Sequence, residues 1–343
     1  MIDWITALLP CTHSPLNGGC VVSIDPHGQE EWRSERKVRA RGSFESSMDI
    51  RSQGGDGQGR ATHLFVDGNP SKFLQGHNLF GSDDLVTLMC EVFSRLIDQF
   101  GFQPTADDLA AVVAGDYTVC CIDYTHSFEL PTRADVKAWL RAAEFKAKSR
   151  HGRPSSKGGT LYFGQRSRRW CLKFYCKGEE IEAPKHTLPE ELLLPELIAW
   201  ADNKLRAELR LRTRELIDQE LRRACDLTPK RLSELFNDYV RGLDMSEQVA
   251  LTTEALLALP QRLRSSYVLW KSGEDLRETL SKNTYYKHRK ELREHGIDIA
   301  LRCESVDRSN VVPLVRVLEA IPVSIPDFAF ARGLVHSSAR KAG

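Results

Sequence analysis

Apolar and polar side chains alternate along several stretches of the sequence with a period of two, which is the pattern of half-buried β-strands. The longest stretches are 117–128, 169–177 and 205–213, and the shorter segments 62–67 and 160–163 are also predicted to be strands. In each long stretch one face is apolar and the other is largely polar. The second faces contain Cys121, Asp123 and Thr125, then Lys173, Tyr175 and Lys177, and finally Arg206, Glu208, Arg210 and Arg212.

Other stretches repeat their apolar residues every three to four positions, which predicts α-helices. Residues 83–100 follow Ser82, which can act as an N-cap, and residues 133–146 follow Thr132 in the same way. After Leu216 the pattern is mainly helical.

If one sheet carries its helices on the apolar side, the polar groups of all three long strands gather on its open face. We therefore predict an α+β fold with two parts. An antiparallel sheet domain with helices on one face, residues 1–216, precedes a mainly helical C-terminal region, residues 217–343.

Tyr175 lies between Lys173 and Lys177 on one polar strand face. Two ammonium groups would lower the free energy of forming a phenolate and would bind phosphate oxygens. The pattern thus suits nucleophilic attack on a phosphate. An ordinary half-buried strand with a solvated basic edge explains the same residues.

Asp123 and Glu208 are candidate ligands for a hard divalent metal, because both offer carboxylate oxygens. Glu208 stands among arginines and could equally form a structural ion pair. His77, between Gly76 and Asn78, could be a third ligand or could fix its loop through hydrogen bonds. His126 projects to the apolar side of its strand, which indicates a packed histidine.

The net charge of +1 conceals a basic block. Between residues 133 and 173 there are twelve Lys or Arg residues and two acids. Such a block favours a polyanionic partner, although a solvated charged face would look the same. Its candidate DNA contacts are Arg166, Arg168, Arg169 and Lys173.

The segments 274–280 and 284–296, separated by a turn at 281–283, have the proportions of a helix-turn-helix. Lys287, Arg289, Lys290 and Arg293 make the second helix basic, which predicts contacts with duplex DNA. Two packed helices without any DNA contact are the alternative.

Nine cysteines without a CxxC pair indicate reduced thiols in a cytoplasm rather than a disulfide framework or a zinc site. The start of the chain lacks a basic segment before an apolar one, so no signal peptide is expected. The longest apolar stretch, 192–201, contains Pro195 and is too short to span a membrane. No phosphate-binding glycine loop, dinucleotide fingerprint, zincin motif or nucleophile elbow occurs.

Five segments resemble the filamentous phage replication initiators of the gene II/X protein family, in the same order along the chain. They are Gly68–Leu85, the strand containing Ile122 and Asp123, Leu172–Ile181, Arg206–Thr213 and Ser309–Arg316. The resemblance implies a rolling-circle initiator and makes residues 1–216 a nuclease domain for nicking and joining. Such proteins nick one strand of a phage or plasmid origin, stay joined to the 5′-phosphate through tyrosine and later rejoin the displaced circle.

Residue by residue, the resemblance makes Tyr175 the nucleophile and Lys177 the lysine of a Tyr-x-Lys pattern. It implies Mg²⁺ or Mn²⁺ at Asp123 and Glu208. Many rolling-circle nucleases bind metal through a His-x-His pair, and this sequence has none, which leaves His77 as the candidate histidine ligand.

The implied partners are duplex and single-stranded origin DNA, with a helicase and a polymerase of the bacterial host, in its cytoplasm and without a membrane. Two alternatives remain open from the residues. A non-catalytic DNA-binding replication regulator would need only the helix-turn-helix. A tyrosine recombinase would need an Arg/His/Arg set in a helical domain, whereas Tyr175 lies in a predicted strand.

Overall fold

A computed structural model of the chain describes residues 1–16, 19–147, 154–184, 186–243, 256, 258–272, 274–295, 297–300, 317–318 and 320–336. It contains a large antiparallel sheet with packed helices, followed by a mainly helical region, so the predicted α+β class is confirmed. The resembling segment Ser309–Arg316 lies outside the described residues. No helix in the described ranges is long and apolar enough to cross a membrane.

Nine strands form the main sheet in the order β4-β5-β6-β1-β7-β11-β10-β9-β8, and every neighbouring pair is antiparallel. Strands β2 and β3 form a separate hairpin. The strands are β1 Ile2–His13, β2 Cys20–Ile24, β3 Glu30–Glu35, β4 Val38–Arg41, β5 Ser47–Gln53, β6 Ala61–Gly68, β7 Thr118–Glu129, β8 Ser155–Lys157, β9 Thr160–Phe163, β10 Trp170–Cys176 and β11 Lys204–Arg212.

The first part of the chain also contains helices. They are α1 Pro70–Gln75, α2 Leu85–Phe100, α3 Ala106–Ala114, α4 Arg133–Lys146, α5 Lys177–Glu182, α6 Pro195–Asp202, α7 Thr213–Asp218 and α8 Pro229–Arg241. Further along are α9 Gln261–Lys271, α10 Leu276–Thr279, α11 Lys282–Glu294 and α12 Asp327–Ala331. Short 3₁₀ turns occur at Ser43–Glu45, Glu190–Leu192 and Ala224–Asp226.

Helix starts follow their capping side chains. Thr132 caps α4 as predicted, accepting from the backbone N–H of Asp135 at 3.2 Å. The predicted cap at Ser82 is replaced by Asp84, whose carboxylate accepts from the Thr87 N–H at 3.1 Å, so α2 begins two residues late. In the same way Ser281 accepts from Thr284, so α11 begins inside the predicted turn.

The main core lies between the apolar face of the sheet and helices α1, α2, α3, α4 and α8. Trp139 of α4, for example, packs on Phe174 of β10 with ring centroids 5.2 Å apart. His126 packs against Phe236 of α8 at 4.5 Å, as a packed histidine should. Because α8 belongs to this core, the sheet unit extends beyond the predicted boundary at residue 216.

Two smaller cores complete the described structure. Helices α9, α10 and α11 enclose their own apolar cluster around Tyr267, Trp270 and Leu292. The other cluster joins Leu79 and Phe80 to α5, α6 and α12. It is connected to the sheet by the segment 321–336, in which Val323 N–H donates to the Ser127 carbonyl at 2.8 Å.

Candidate functional site

The strand register places the predicted polar residues of β7, β10 and β11 side by side. Tyr175 is paired with Arg206, and Lys173 is paired with Glu208, which in turn faces Thr125. Three parallel rows of side chains therefore cross the polar face of the sheet. The third row contains Cys171, Arg210, Asp123 and Trp4.

Asp123 and Glu208 form a buried pair of carboxylates, 1% and 4% exposed respectively. Arg210 binds Asp123 through two hydrogen bonds, of which the one from Nε to Oδ1 is 2.6 Å long. Lys173 contacts Glu208 directly and lies 3.6 Å from Asp123. Glu208 therefore forms an ion pair, which was one of the two predicted alternatives, but its partner is Lys173 rather than a neighbouring arginine.

Burial raises the pKa of Glu208 to about 7, and the nearby negative charge of Asp123 adds to the effect. Burial alone would lower the pKa of Lys173, but Glu208 and Asp123 outweigh it and leave that pKa raised. The carboxyl of Glu208 can thus exchange a proton near neutral pH, while Lys173 stays charged. This is the property expected of a group that takes part in proton transfer.

Tyr175 is 8% exposed, and its pKa is well above the ordinary value because of burial, with Glu180 and Glu208 adding to the shift. The expectation that the flanking lysines favour a phenolate is therefore wrong for the protein in this state. Lys173 is neutralised by Glu208, and Lys177 is neutralised by Glu180. Activation of this hydroxyl has to come from a proton acceptor.

Lys177 does not continue the polar strand face, because β10 ends at Cys176 and Lys177 is the first residue of α5. It is fully buried, its ammonium donates to Asn78 Oδ1 at 3.0 Å, and it forms an ion pair with Glu180. Burial lowers its pKa, against the opposing effect of Glu180. Lys177 therefore follows Tyr175 at the start of a helix and not on the polar strand face.

The loop 76–81 covers one end of the polar face. Arg206, also fully buried, donates to the backbone carbonyl of Asn78 at 3.1 Å and to that of Leu79. The loop therefore rests on β11 and supports Lys177 through Asn78. At the opposite end of the face, Trp4 is exposed beside the buried Asp123.

His77 has the loop-fixing role. Its Nε2 is 2.9 Å from the Leu334 carbonyl, and its Nδ1 is 3.3 Å from the Leu79 nitrogen. Burial lowers its pKa to about 4, so the ring is neutral. Both ring nitrogens are engaged within the loop and the C-terminal segment, which does not place His77 with the two carboxylates.

One further polar residue of the site, Asp3, escaped the sequence analysis, and Thr125 was given no role there. Asp3 occupies a β-bulge in β1, is 8% exposed, and accepts from the side-chain amides of Asn69 at 3.1 Å and Asn78 at 2.8 Å. Its pKa is raised by burial and then by Glu208. Thr125 was placed on the right face, but its hydroxyl is buried without a hydrogen-bond partner directly opposite Glu208.

Asp3 gave no usable signal, because a bulge moves one residue out of the alternation that identifies a strand face. The structure does not bring together Asp123, Glu208 and His77, the three predicted metal ligands. Across the described ranges no three His, Cys, Asp or Glu side chains are grouped closely enough to hold an ion. The two carboxylates and the unpartnered Thr125 hydroxyl do form an all-oxygen donor set of the kind a hard cation prefers.

The predicted DNA contacts of the basic block divide into free and engaged side chains. Arg166 and Arg168 are exposed in the turn between β9 and β10. Arg169 forms ion pairs with Glu215 at 2.7 Å and with Asp218. Lys173 is held by the carboxylate pair, so neither Arg169 nor Lys173 is available to a phosphate in this state.

The basic residues of α11 also divide into exposed side chains and one that is held in an ion pair. Lys287, Lys290 and Arg293 are exposed. Arg289 instead forms a two-pronged ion pair with Asp298, with N–O distances of 2.7 and 2.9 Å. Tyr286, 56% exposed, lies one turn before Lys290 and extends the same face.

Comparison with known proteins shows the family of the chain. The family model for the N-terminal part of the gene II replication-associated protein matches residues 1–230, and the model for the C-terminal part of the same protein matches residues 251–335. The chain is 48% identical over 328 residues to the corresponding replication-associated protein of Enterobacteria phage I2-2, covering 95% of both chains. The chain therefore belongs to the filamentous phage gene II family of replication-associated proteins.

Proposed function

We propose that this protein initiates rolling-circle replication by nicking one strand of a phage origin with Tyr175 as the nucleophile. The observation that carries the proposal is the position of Tyr175 one row from the buried Glu208, in a member of a phage replication family. Family membership alone supports a replication initiator. The chemistry below rests on the site.

In the proposed reaction the Tyr175 oxygen forms a bond to phosphorus, and the bond from phosphorus to the 3′ oxygen breaks. The departing 3′ oxygen takes up a proton, which leaves a 3′-OH primer and a 5′-phosphotyrosyl link. The phenolic proton passes to a base as the new bond forms. The phosphotyrosyl ester conserves the free energy of the cleaved phosphodiester bond. Attack on it by a 3′-OH that forms later would therefore rejoin the displaced circle.

Asp123 and Glu208, with the Thr125 hydroxyl, would hold Mg²⁺ or Mn²⁺. When bound, the ion would supply charge neutralisation for the phosphoryl group. Lys173, which shares both carboxylates, would be displaced toward the DNA and could then contact phosphate, as the sequence predicts.

Duplex origin DNA would dock elsewhere. The exposed face of α11 offers the three cations of Lys287, Lys290 and Arg293, with the carboxylate of Glu294 beside them. Tyr175 is 8% exposed, so its phosphate has to arrive on a single or melted strand. A host helicase and a polymerase would act on the products, namely the displaced strand and the 3′-OH.

Incubation with supercoiled origin DNA and Mg²⁺ tests the proposal. We expect nicked circles with covalently attached protein, and we expect Tyr175→Phe to abolish them while duplex binding stays within a few-fold. Absence of any adduct from the wild-type protein would favour the second candidate, a DNA-binding replication regulator, for which the exposed cations of α11 suffice.

A further inference from the structure

Trp4 is a large aromatic side chain at the end of the polar face opposite the loop 76–81. It is 37% exposed and stands directly beside Asp123 in the strand register. Scattered exposed aromatics are common, so exposure alone identifies nothing. What distinguishes Trp4 is the set of contacts that hold its ring.

The indole N–H donates to Asp67 Oδ1 at 3.0 Å. The same carboxylate also accepts from the Thr6 hydroxyl at 2.8 Å and from the Lys37 ammonium at 2.6 Å. Burial opposes ionisation of Asp67, but these donors outweigh it and lower its pKa. The ring is therefore oriented before any ligand arrives, which reduces the entropy lost on binding.

Arg212 lies on the same face, one row along, because it is paired with Cys121, which is paired with Thr6. Within the described part of the chain Arg212 forms no ion pair, and its Nε is buried without a hydrogen-bond partner. The guanidinium thus carries a charge that no neighbouring anion in those residues pairs with.

We propose that Trp4 and Arg212 bind one nucleotide of single-stranded DNA, with the base stacked on the indole and a phosphate on the guanidinium. Two strand spacings separate their backbones, roughly 10 Å, which long side chains can bridge around a nucleotide. A duplex is excluded, because its bases are already stacked. The site rests on the proposed function, because it would bind the strand that Tyr175 cleaves. Trp4 lies on the same face of the sheet as Tyr175, roughly 15–20 Å away.

Binding of a fluorescent single-stranded origin oligonucleotide, measured by anisotropy in EDTA so that no cleavage occurs, tests the site on the full chain. Trp4→Ala should weaken binding roughly five- to hundred-fold, the range that base–aromatic stacking supplies. Trp4→Phe should retain most of the affinity, because the stacking face remains. Trp32→Ala is the matched control, since Trp32 is 53% exposed on the β2–β3 hairpin and lacks the Asp67 anchor.

A series of oligonucleotides with one abasic position each makes the test independent of protein stability. At one position the abasic substitution should weaken wild-type binding and leave Trp4→Ala unaffected. Arg212→Gln should reduce the salt dependence of log affinity by about 0.7 of a unit, the loss of one single-strand phosphate contact. If Trp4→Ala binds like the wild type, or if its defect is equal on every abasic oligonucleotide, the stacking site is wrong.

The outcome is separable from the proposed function. A protein that forms no adduct with origin DNA, yet shows the position-specific Trp4 effect, keeps the nucleotide site and loses the nicking proposal. If the wild-type protein forms the Tyr175 adduct and the Trp4→Ala variant binds single-stranded DNA normally, the nicking proposal stands and this nucleotide site is wrong.

Discussion

Lys173 and Lys177 are two positions either side of Tyr175 in the sequence, but neither acts on it as a free cation. Each is paired with a carboxylate, Glu208 or Glu180, and the net effect of the surroundings is a raised pKa for the Tyr175 hydroxyl. At the scale of single residues the site is therefore balanced rather than basic. The reactivity of the site therefore depends on whether Glu208 or Glu180 separates from its lysine partner.

Glu208 should leave a signature in the pH dependence of stability. Its folded pKa of about 7 lies above the ordinary 4.5, so between these pH values the folded state binds more protons than the unfolded state, and stability falls as pH rises. In EDTA, the difference in urea midpoint between wild type and Glu208→Gln should fall across this window. Added Mg²⁺ should stabilise the wild type above pH 7 more than the variant. Parallel curves for the two proteins would show that Glu208 does not titrate there.

We expect Lys177 to contribute to both stability and nicking. Lys177→Met would leave the half-buried Glu180 without its cation, which costs up to about 3 kcal/mol of unfolding free energy. The double variant Lys177→Met/Glu180→Gln should recover much of that stability, yet nick about 10²-fold more slowly, as expected from loss of one preorganised charge. Urea denaturation and single-turnover nicking measure the two effects. Wild-type nicking by the stable double variant would make Lys177 purely structural.

At the scale of elements, the loop 76–81 connects three parts of the molecule. It rests on β11 through Arg206, positions Lys177 through Asn78, and is fastened to the C-terminal segment by His77 and Leu334. The backbone N–H of His336 adds a bond to Gln75 at 2.9 Å. The C-terminal end of the described chain thus stabilises the end of the sheet that contains Tyr175.

The two alternatives for His77, fixing its loop and binding a metal, can be separated by experiment. His77→Ala should lower the free energy of unfolding by about 1–3 kcal/mol, because the backbone carbonyl of Leu334 loses its buried donor. The Mg²⁺ concentration for half-maximal nicking should not change, whereas Asp123→Asn should raise it. Metal titrations of the two variants beside wild type decide the matter. Equal shifts in both would restore His77 as a ligand.

At the scale of the whole molecule, the proposed nucleophile lies on the main sheet and the proposed duplex-docking helix belongs to a separate core. Tyr175 belongs to the sheet, while α11 belongs to the cluster formed with α9 and α10. The proposed division of labour follows from this separation. A change on the outer face of α11 should leave the sheet intact.

Changing Lys287 and Lys290 together to Ala should weaken duplex-origin binding and reduce the slope of log affinity against log salt by about 1.8, or about 0.9 for each lost phosphate contact. Cleavage of a pre-melted oligonucleotide should continue at the wild-type rate. Arg289→Ala serves as the control, because its pairing with Asp298 predicts a loss of stability instead. If single-strand cleavage falls together with duplex binding, the two functions are not separate.

The sequence by itself determined the strand faces, because alternation with a period of two requires only local backbone geometry. It therefore predicted which side of the sheet Asp123, Tyr175 and Glu208 occupy, and the resemblance identified the family. Tertiary structure decided their charge states and partners. Strand register brought Lys173 to Glu208, a bulge turned Asp3 inward, and a contact across 257 residues fixed His77 to Leu334. Such pairings depend on residues far apart in the chain, so no local pattern contains them.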